Sequence, residues 1–170
     1  YEGSAHIPFL VRWPDPFKGK LKRGATLDNV VELRDFLPTF LDAAGAVIPD
    51  EMDGMSLLDL VRDPGTRWRP YIDMEHAAVY SDDNYWCALT DGSWKYIWFF
   101  TTGREQLFNL EDDPGEEHDL TGMEPNQGIL ESWRNKMAEH LSERGEGFVR
   151  DGKPAIRKNS MLYGPNYPRE

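Results

Sequence analysis

The sequence predicts an α/β chain, α+β in the segment as it stands: one strand and two helices, then a four-stranded antiparallel sheet packed on a C-terminal helix. Three observations predict it. A short apolar run at 7–13 leads into two stretches of helical spacing. Four short aromatic and β-branched runs then follow one another across short loops, which implies antiparallel pairing. An amphipathic stretch of helical period comes last, at 127–143.

The first run, IPFLVRW at 7–13, lacks clean alternation and stops at Pro14, as expected of a strand covered on both faces. Residues 14–28 are rich in Pro, Gly and Lys and read as a surface loop; KGKLKR at 18–23 suits a solvated loop better than an anion site. Val30, Leu33, Phe36, Leu37, Phe40, Leu41 and Ala44 recur at helical spacing, and Gly45 stands where a left-handed C-cap belongs. Pro38 means that this helix either begins near it or is kinked there. A second short helix is expected over Ser56–Val61, and DPGTRWRP at 63–70 reads as a connector.

Strands are expected at 71–77, 85–90, 94–100 and 105–110. Asp91-Gly92 is a strong hairpin turn signal because the turn needs positive φ, and Thr102-Gly103 a weaker one. The acidic loop EDDPGEEHDL separates the last strand from the helix, whose apolar face is Ile129, Leu130, Trp133, Met137 and Leu141. Residues 145–170 read as an irregular tail. The expected division is therefore 1–66, 67–145 and 146–170.

The net charge of −11 is concentrated in residues 71–144, which hold 16 acidic and 5 basic residues. That argues against nucleic acid, whose phosphates need a basic footprint, but not against an anionic small substrate, for which a local cationic pocket suffices. No apolar run approaches the roughly 20 residues of a membrane span. Cys87 is the single cysteine, so no intrachain disulfide forms, and its apolar neighbours suggest a buried thiol. Tyr1 leads directly into the apolar run, which suggests a segment cut from a longer protein. An isolated central-type strand would leave edges and faces open, so self-association is expected.

Catalytic signatures are absent: no phosphate-binding Walker loop, nucleophile elbow, zinc-protease helix or EF-hand loop occurs. No catalytic residue and no metal ligand is assigned. His118 and His140 read as solvated. His6 precedes the apolar run, and His76 follows Asp73 and Glu75 near a strand end, where ligands tend to sit in open α/β sheets; a hydrogen-bonded structural role is the alternative for each. The run Glu111, Asp112, Asp113, Glu116, Glu117 and Asp119 lacks calcium-loop spacing and reads as a solvated loop.

Several segments resemble the type I sulfatases of the alkaline phosphatase superfamily. YEGSAHIPFLVRWP at 1–14 is similar to the segment that follows that family's sulfate-contacting lysine. Val31 to Gly45 resembles its next helix, and Asp53-Gly54-Met55-Ser56-Leu57 its next turn. Asp91 to Ile97 (DGSWKYI) is similar to its C-terminal hairpin, and Gln106 to Leu110 with Asp113-Pro114-Gly115-Glu116 to its last strand and loop. The resemblance covers about residues 1–145 in the family's order. It implies the end of a large mixed α/β sheet domain, then the small sheet and helix, and hydrolysis of sulfate esters of carbohydrates or aryl alcohols.

That resemblance also implies, for the parent enzyme, a calcium ion and a formylglycine made from a C/S-x-P-x-R motif; the parent's compartment stays open, with periplasmic or secreted export one option. Cys87 is followed by Ala88-Leu89-Thr90-Asp91 and does not fit the motif, nor does any serine. This chain alone is therefore expected to be inactive. His6, His76 and Trp86 are the substrate-binding candidates, with Tyr85 as a further stacking surface; core packing is the alternative for Trp86. Two other readings stay open: a phosphate or phosphonate ester hydrolase of the same superfamily, and a stand-alone carbohydrate-binding or interaction module.

Overall fold

The structure, a computed structural model, describes residues 1–13, 19–78, 81–145 and 147–157. The chain divides into two compact units: residues 6–72, and residues 73 onward together with Tyr1–Ala5.

In the unit of residues 6–72, the apolar run at 7–13 forms no strand, which corrects the expectation from sequence. A strand exists only where a neighbour takes its backbone N–H and C=O groups, and both sheets among the described residues are built from later segments. The helix expected over 30–44 is shorter and split. A 3-10 turn at Leu33–Asp35 runs into α2, Phe36–Ala43 (α1 is Glu2–Ala5). Pro38 is the third residue of α2, in the first turn, where a missing N–H breaks no helical bond. Gly45, at φ 68°, ends it in the left-handed conformation, and Ala46 N–H donates to the Leu41 carbonyl. The helix α3, Leu57–Arg62, is capped by Ser56, whose hydroxyl accepts the Leu58 N–H, and it buries Leu57, Leu58, Leu60 and Val61.

This unit is pinned by Asp35, which is fully buried. Its carboxylate accepts the N–H of Glu32 at 2.9 Å and of Met55 at 2.8 Å, and pairs with Arg69. Gly54 lies against the Arg34 carbonyl, where a Cβ would overlap backbone. Trp68 Nε1–H donates to the Val30 carbonyl at 2.8 Å. The stretch read as a connector thus ties the α2 entry in place through Trp68 and Arg69.

The other unit centres on a sheet in the order β1 (Ile72–His76), β2 (Trp86–Thr90), β3 (Trp94–Phe99), β4 (Glu105–Asn109). Strands β2, β3 and β4 pair antiparallel, with Ala88 opposite Ile97 and Tyr96 opposite Leu107. The β2–β3 turn is made by Asp91, whose carboxylate accepts the Ser93 and Trp94 N–H groups, and by Gly92 at φ 93°.

Strand alternation sorts the side chains into two buried faces. Cys87, Leu89, Tyr96, Trp98 and Leu107 share one face, and α4 (Gln127–Ser142) packs on β2 and β3 with Leu130, Trp133, Met137 and Leu141 buried. Ala88, Ile97, Phe99 and Phe108 form the other, with Met74, Trp86 and Leu110 packed against it.

The expectation of an irregular tail is corrected for residues 147–157. Val149–Arg150 (β5) and Lys153–Pro154 (β6) form a hairpin whose turn residues Asp151 and Gly152 have φ of 51° and 73°. Phe148 and Ala155 are buried, with the Phe148 ring edge-on to Phe100 at 5.7 Å. Residues 158–170 lie outside the described residues.

Candidate functional site

The clearest constellation of candidate residues is at the end of β1. Alternation along that strand puts Met74 and His76 on one face and Asp73 and Glu75 on the other. The His76 ring stacks on the Trp86 indole, with centroids 5.5 Å apart and planes 18° from parallel. His76 Nδ1 lies 3.0 Å from the Asn84 carbonyl oxygen. A carbonyl only accepts, so Nδ1 carries the proton in this contact and Nε2 keeps a lone pair in the neutral ring. The Asn84 carbonyl is itself fixed by the 3-10 turn Asp82–Asn84, which Ser81 caps by accepting the Asp83 N–H. Backbone and aromatic contacts therefore fix the orientation of this His, whose ring is half-buried.

Trp86 serves two neighbours at once: it packs against the Ala88–Ile97–Phe99–Phe108 cluster and carries the His76 ring. Tyr85 offers no stacking surface. It is 5 % exposed, its ring packs on Phe100 at 4.5 Å, and burial pushes its phenol up against a smaller opposing effect of Arg157. His6 is exposed and begins the other unit, directly after α1. The structure brings His76 and Trp86 together; His6 is described with its own unit.

A buried lysine in the sheet escapes the sequence pattern. Lys95 is 1 % exposed on β3, on the face of Ile97 and Phe99. Its ammonium sits 2.9 Å from the Glu116 carboxylate and also pairs with Glu2. Glu116 is a non-glycine residue at φ 54° and also accepts the Glu2 backbone N–H. Tyr1 adds a hydrogen bond from its hydroxyl to Gln106 Oε1 at 3.2 Å and an edge-on contact with Phe108. α1 is thus held on the sheet by a charge cluster and a ring. Alternation alone would mark Lys95 only as one polar residue among aromatics; the Asp113-Pro114-Gly115-Glu116 turn that returns a carboxylate to it is a tertiary event.

Among the described residues, neither Cys87 nor the acidic loop fits the formylglycine or the calcium that the resemblance implies. Cys87 is fully buried on the α4 face, and burial, with the nearby Asp73 charge, pushes its thiol far above the usual range. That is the opposite of an activated nucleophile. In the acidic loop the carboxylates serve the chain itself: Glu111 accepts from the Ser93 hydroxyl, Asp112 from the Asn109 amide, and Glu116 pairs with Lys95. Asp113 accepts the N–H of His118 at 2.8 Å and Glu117 at 3.1 Å, which hold its carboxyl below the usual carboxylate range. Asp119 accepts the N–H of Leu107 and Thr121.

Comparisons with known proteins agree with this architecture. The family described as N-sulphoglucosamine sulphohydrolase, C-terminal, matches residues 1–143. An arylsulfatase of Clostridium perfringens is 38% identical over 158 residues, which is 92% of this chain and 32% of the relative. The chain thus spans about a third of that relative's length. A 2-O GAG sulfatase of known structure superposes with a TM-score of 0.58 at 26% identity, over 64% of this chain and 24% of that one. A phosphonate monoester hydrolase from Silicibacter pomeroyi shares the fold at TM-score 0.54 and 18% identity, over 74% of this chain and 29% of that one. Strand order, the helix on one sheet face and the family match over residues 1–143 lead to one assignment: the chain belongs to the sulfatases, in the N-sulphoglucosamine sulphohydrolase C-terminal family.

Proposed function

We propose that this chain is the C-terminal part of an enzyme that hydrolyses sulfate esters, with a sulfated carbohydrate or an aryl sulfate as substrate. The observation that carries the reading is the family match across residues 1–143, joined to 38% identity with an arylsulfatase. Likeness to a 2-O GAG sulfatase favours the carbohydrate class. A phosphonate ester hydrolase remains the second reading on fold alone, and the identity to an arylsulfatase weighs against it. The nucleophile, the calcium ligands and the formylglycine belong, on this reading, to sequence outside these 170 residues. The 170-residue chain by itself turns over no aryl sulfate.

Within the chain, His76 and Trp86 bind substrate in the sheet unit, and His6 is a separate substrate-binding candidate in its own unit. A clamped imidazole accepts a sugar hydroxyl at Nε2 when neutral and donates to a sulfate oxygen when protonated. His76→Ala in the protein that includes the upstream region tests this. The expected result is a KM raised on the order of tenfold with melting temperature little changed. A lower melting temperature with unchanged kinetic constants would assign His76 to its Asn84 bond alone. Paired assays with a sulfate and a phosphonate monoester separate the two chemistries; faster phosphonate turnover would overturn the sulfatase reading.

A further inference from the structure

On the sheet face opposite His76, three side chains of different donor chemistry converge. A carboxylate oxygen of Glu75 on β1, the sulfur of Cys87 on β2 and a ring nitrogen of His140 on α4 all lie within 4.8 Å of one another. They are separated in sequence by more than ten residues in each step, so no spacing motif announces them. A tetrahedral zinc site with bonds of about 2.0–2.3 Å has edges of about 3.3–3.8 Å between ligands. A contraction of about an ångström converts the cluster into three legs of such a site. Glu75 is exposed, so the cluster is reached from solvent on that side.

The electrostatics of the surroundings suit a cation. Asp73 is a second carboxylate at the cluster, 3.9 Å from His140 Nε2. His140 is in the last turn of α4, where the helix presents its carbonyl end and partial negative charge. In the structure a cation already stands there: the Arg144 guanidinium pairs with Glu75 and approaches His140 Nε2 at 3.5 Å. An arginine only donates, so this contact is a hydrogen bond in the tautomer that keeps the lone pair on Nε2, the state in which imidazole binds a metal.

We propose that Glu75, Cys87 and His140 form a binding site for a thiophilic divalent cation of the zinc class, with Arg144 as the cation it displaces. Cys87 then has a role beyond filling the core. On binding, the S–H bond is replaced by a sulfur–metal bond and the displaced proton leaves to solvent water on the side of the exposed Glu75. Asp73, 3.9 Å from His140 Nε2, stays outside the ligand set and adds negative charge beside the site.

Cobalt(II) and zinc(II) added to the full 170-residue chain test the proposal. One equivalent of cobalt should give a thiolate-to-cobalt charge-transfer band with visible tetrahedral bands, and zinc should abolish both. Cys87→Ala should remove the charge-transfer band. Because Cys87 is fully buried and its replacement can disturb folding, His140→Gln provides the second arm: the fold should survive and cobalt affinity should fall about 10–100-fold. Arg144→Ala removes the competitor and should raise affinity on the order of tenfold. Absence of a thiolate band at excess cobalt, its persistence in Cys87→Ala, unchanged affinity in His140→Gln, or weaker binding in Arg144→Ala would each overturn the proposal.

Discussion

The two units of this chain solve the same problem differently. The sheet unit covers both of its faces: α4 lies on one, and on the other Ala88, Ile97, Phe99 and Phe108 are at most 5 % exposed. It even buries a lysine with two carboxylates. The unit of residues 6–72 buries its charges too, at Asp35 and Arg69, but leaves apolar groups in solvent: Leu10 is 91% exposed, Phe40 65%, Leu37 56% and Ile7 54%. One unit completes its own core; the other has polar anchoring and an apolar surface that expects cover. Since the chain spans about a third of the length of its arylsulfatase relative, the rest of a larger sheet domain is the natural cover on the proposed reading.

The largest effect that would break this comparison is at Lys95. Lys95→Ala leaves Glu116, and the partly buried Glu2, without their counter-charge inside the sheet unit. The expected loss is about 3–5 kcal/mol, as for one partner removed from a buried pair, measured by urea unfolding. A loss below about 1 kcal/mol would mean that the pair is solvated like a surface bridge.

Acid should act on the sheet unit next. Burial raises the Glu105 carboxyl, but hydrogen bonds from Arg134 and Tyr96 and the Arg134 charge outweigh it, so its folded pKa is lowered. A lowered folded pKa contributes stability above the unfolded carboxylate value of about 4.3. That contribution is lost as pH falls from there through the folded value. Unfolding followed from neutral pH into this acid range should show the loss, and Glu105→Gln should flatten the slope. An unchanged slope would show that Glu105 does not carry the linkage.

The smallest effect is expected in the other unit. Phe40→Ser replaces a ring that is already mostly in solvent, so stability should change by less than about 0.5 kcal/mol. Self-association, by contrast, should fall in light scattering. A loss of several kcal/mol would mean that Phe40 packs as a core residue.

Much of the fold is legible in the sequence, for reasons that differ by element. The four strands and α4 are visible because local pattern and final environment agree: aromatic runs, an Asp-Gly turn and a helical apolar stripe each meet their tertiary partner within the chain. Residues 7–13 mislead because their composition suits a strand whose partners are not among the described residues. The β5–β6 hairpin is missed because Asp151-Gly152 carries the same turn chemistry as Asp91-Gly92 but with only two residues on each side. At the candidate site, His76 and Trp86 stand out as types, while their stacking depends on β1 lying beside β2. Lys95–Glu116 and Glu75–Cys87–His140 depend wholly on tertiary placement.

Native-state amide exchange along the full chain tests the contrast between the units most directly. Residues 86–90 and 94–99 should exchange only through global unfolding, and residues 7–13 should exchange with little protection. Equal protection in 7–13 and 94–99, in a chain that light scattering shows to be a compact monomer, would contradict the account.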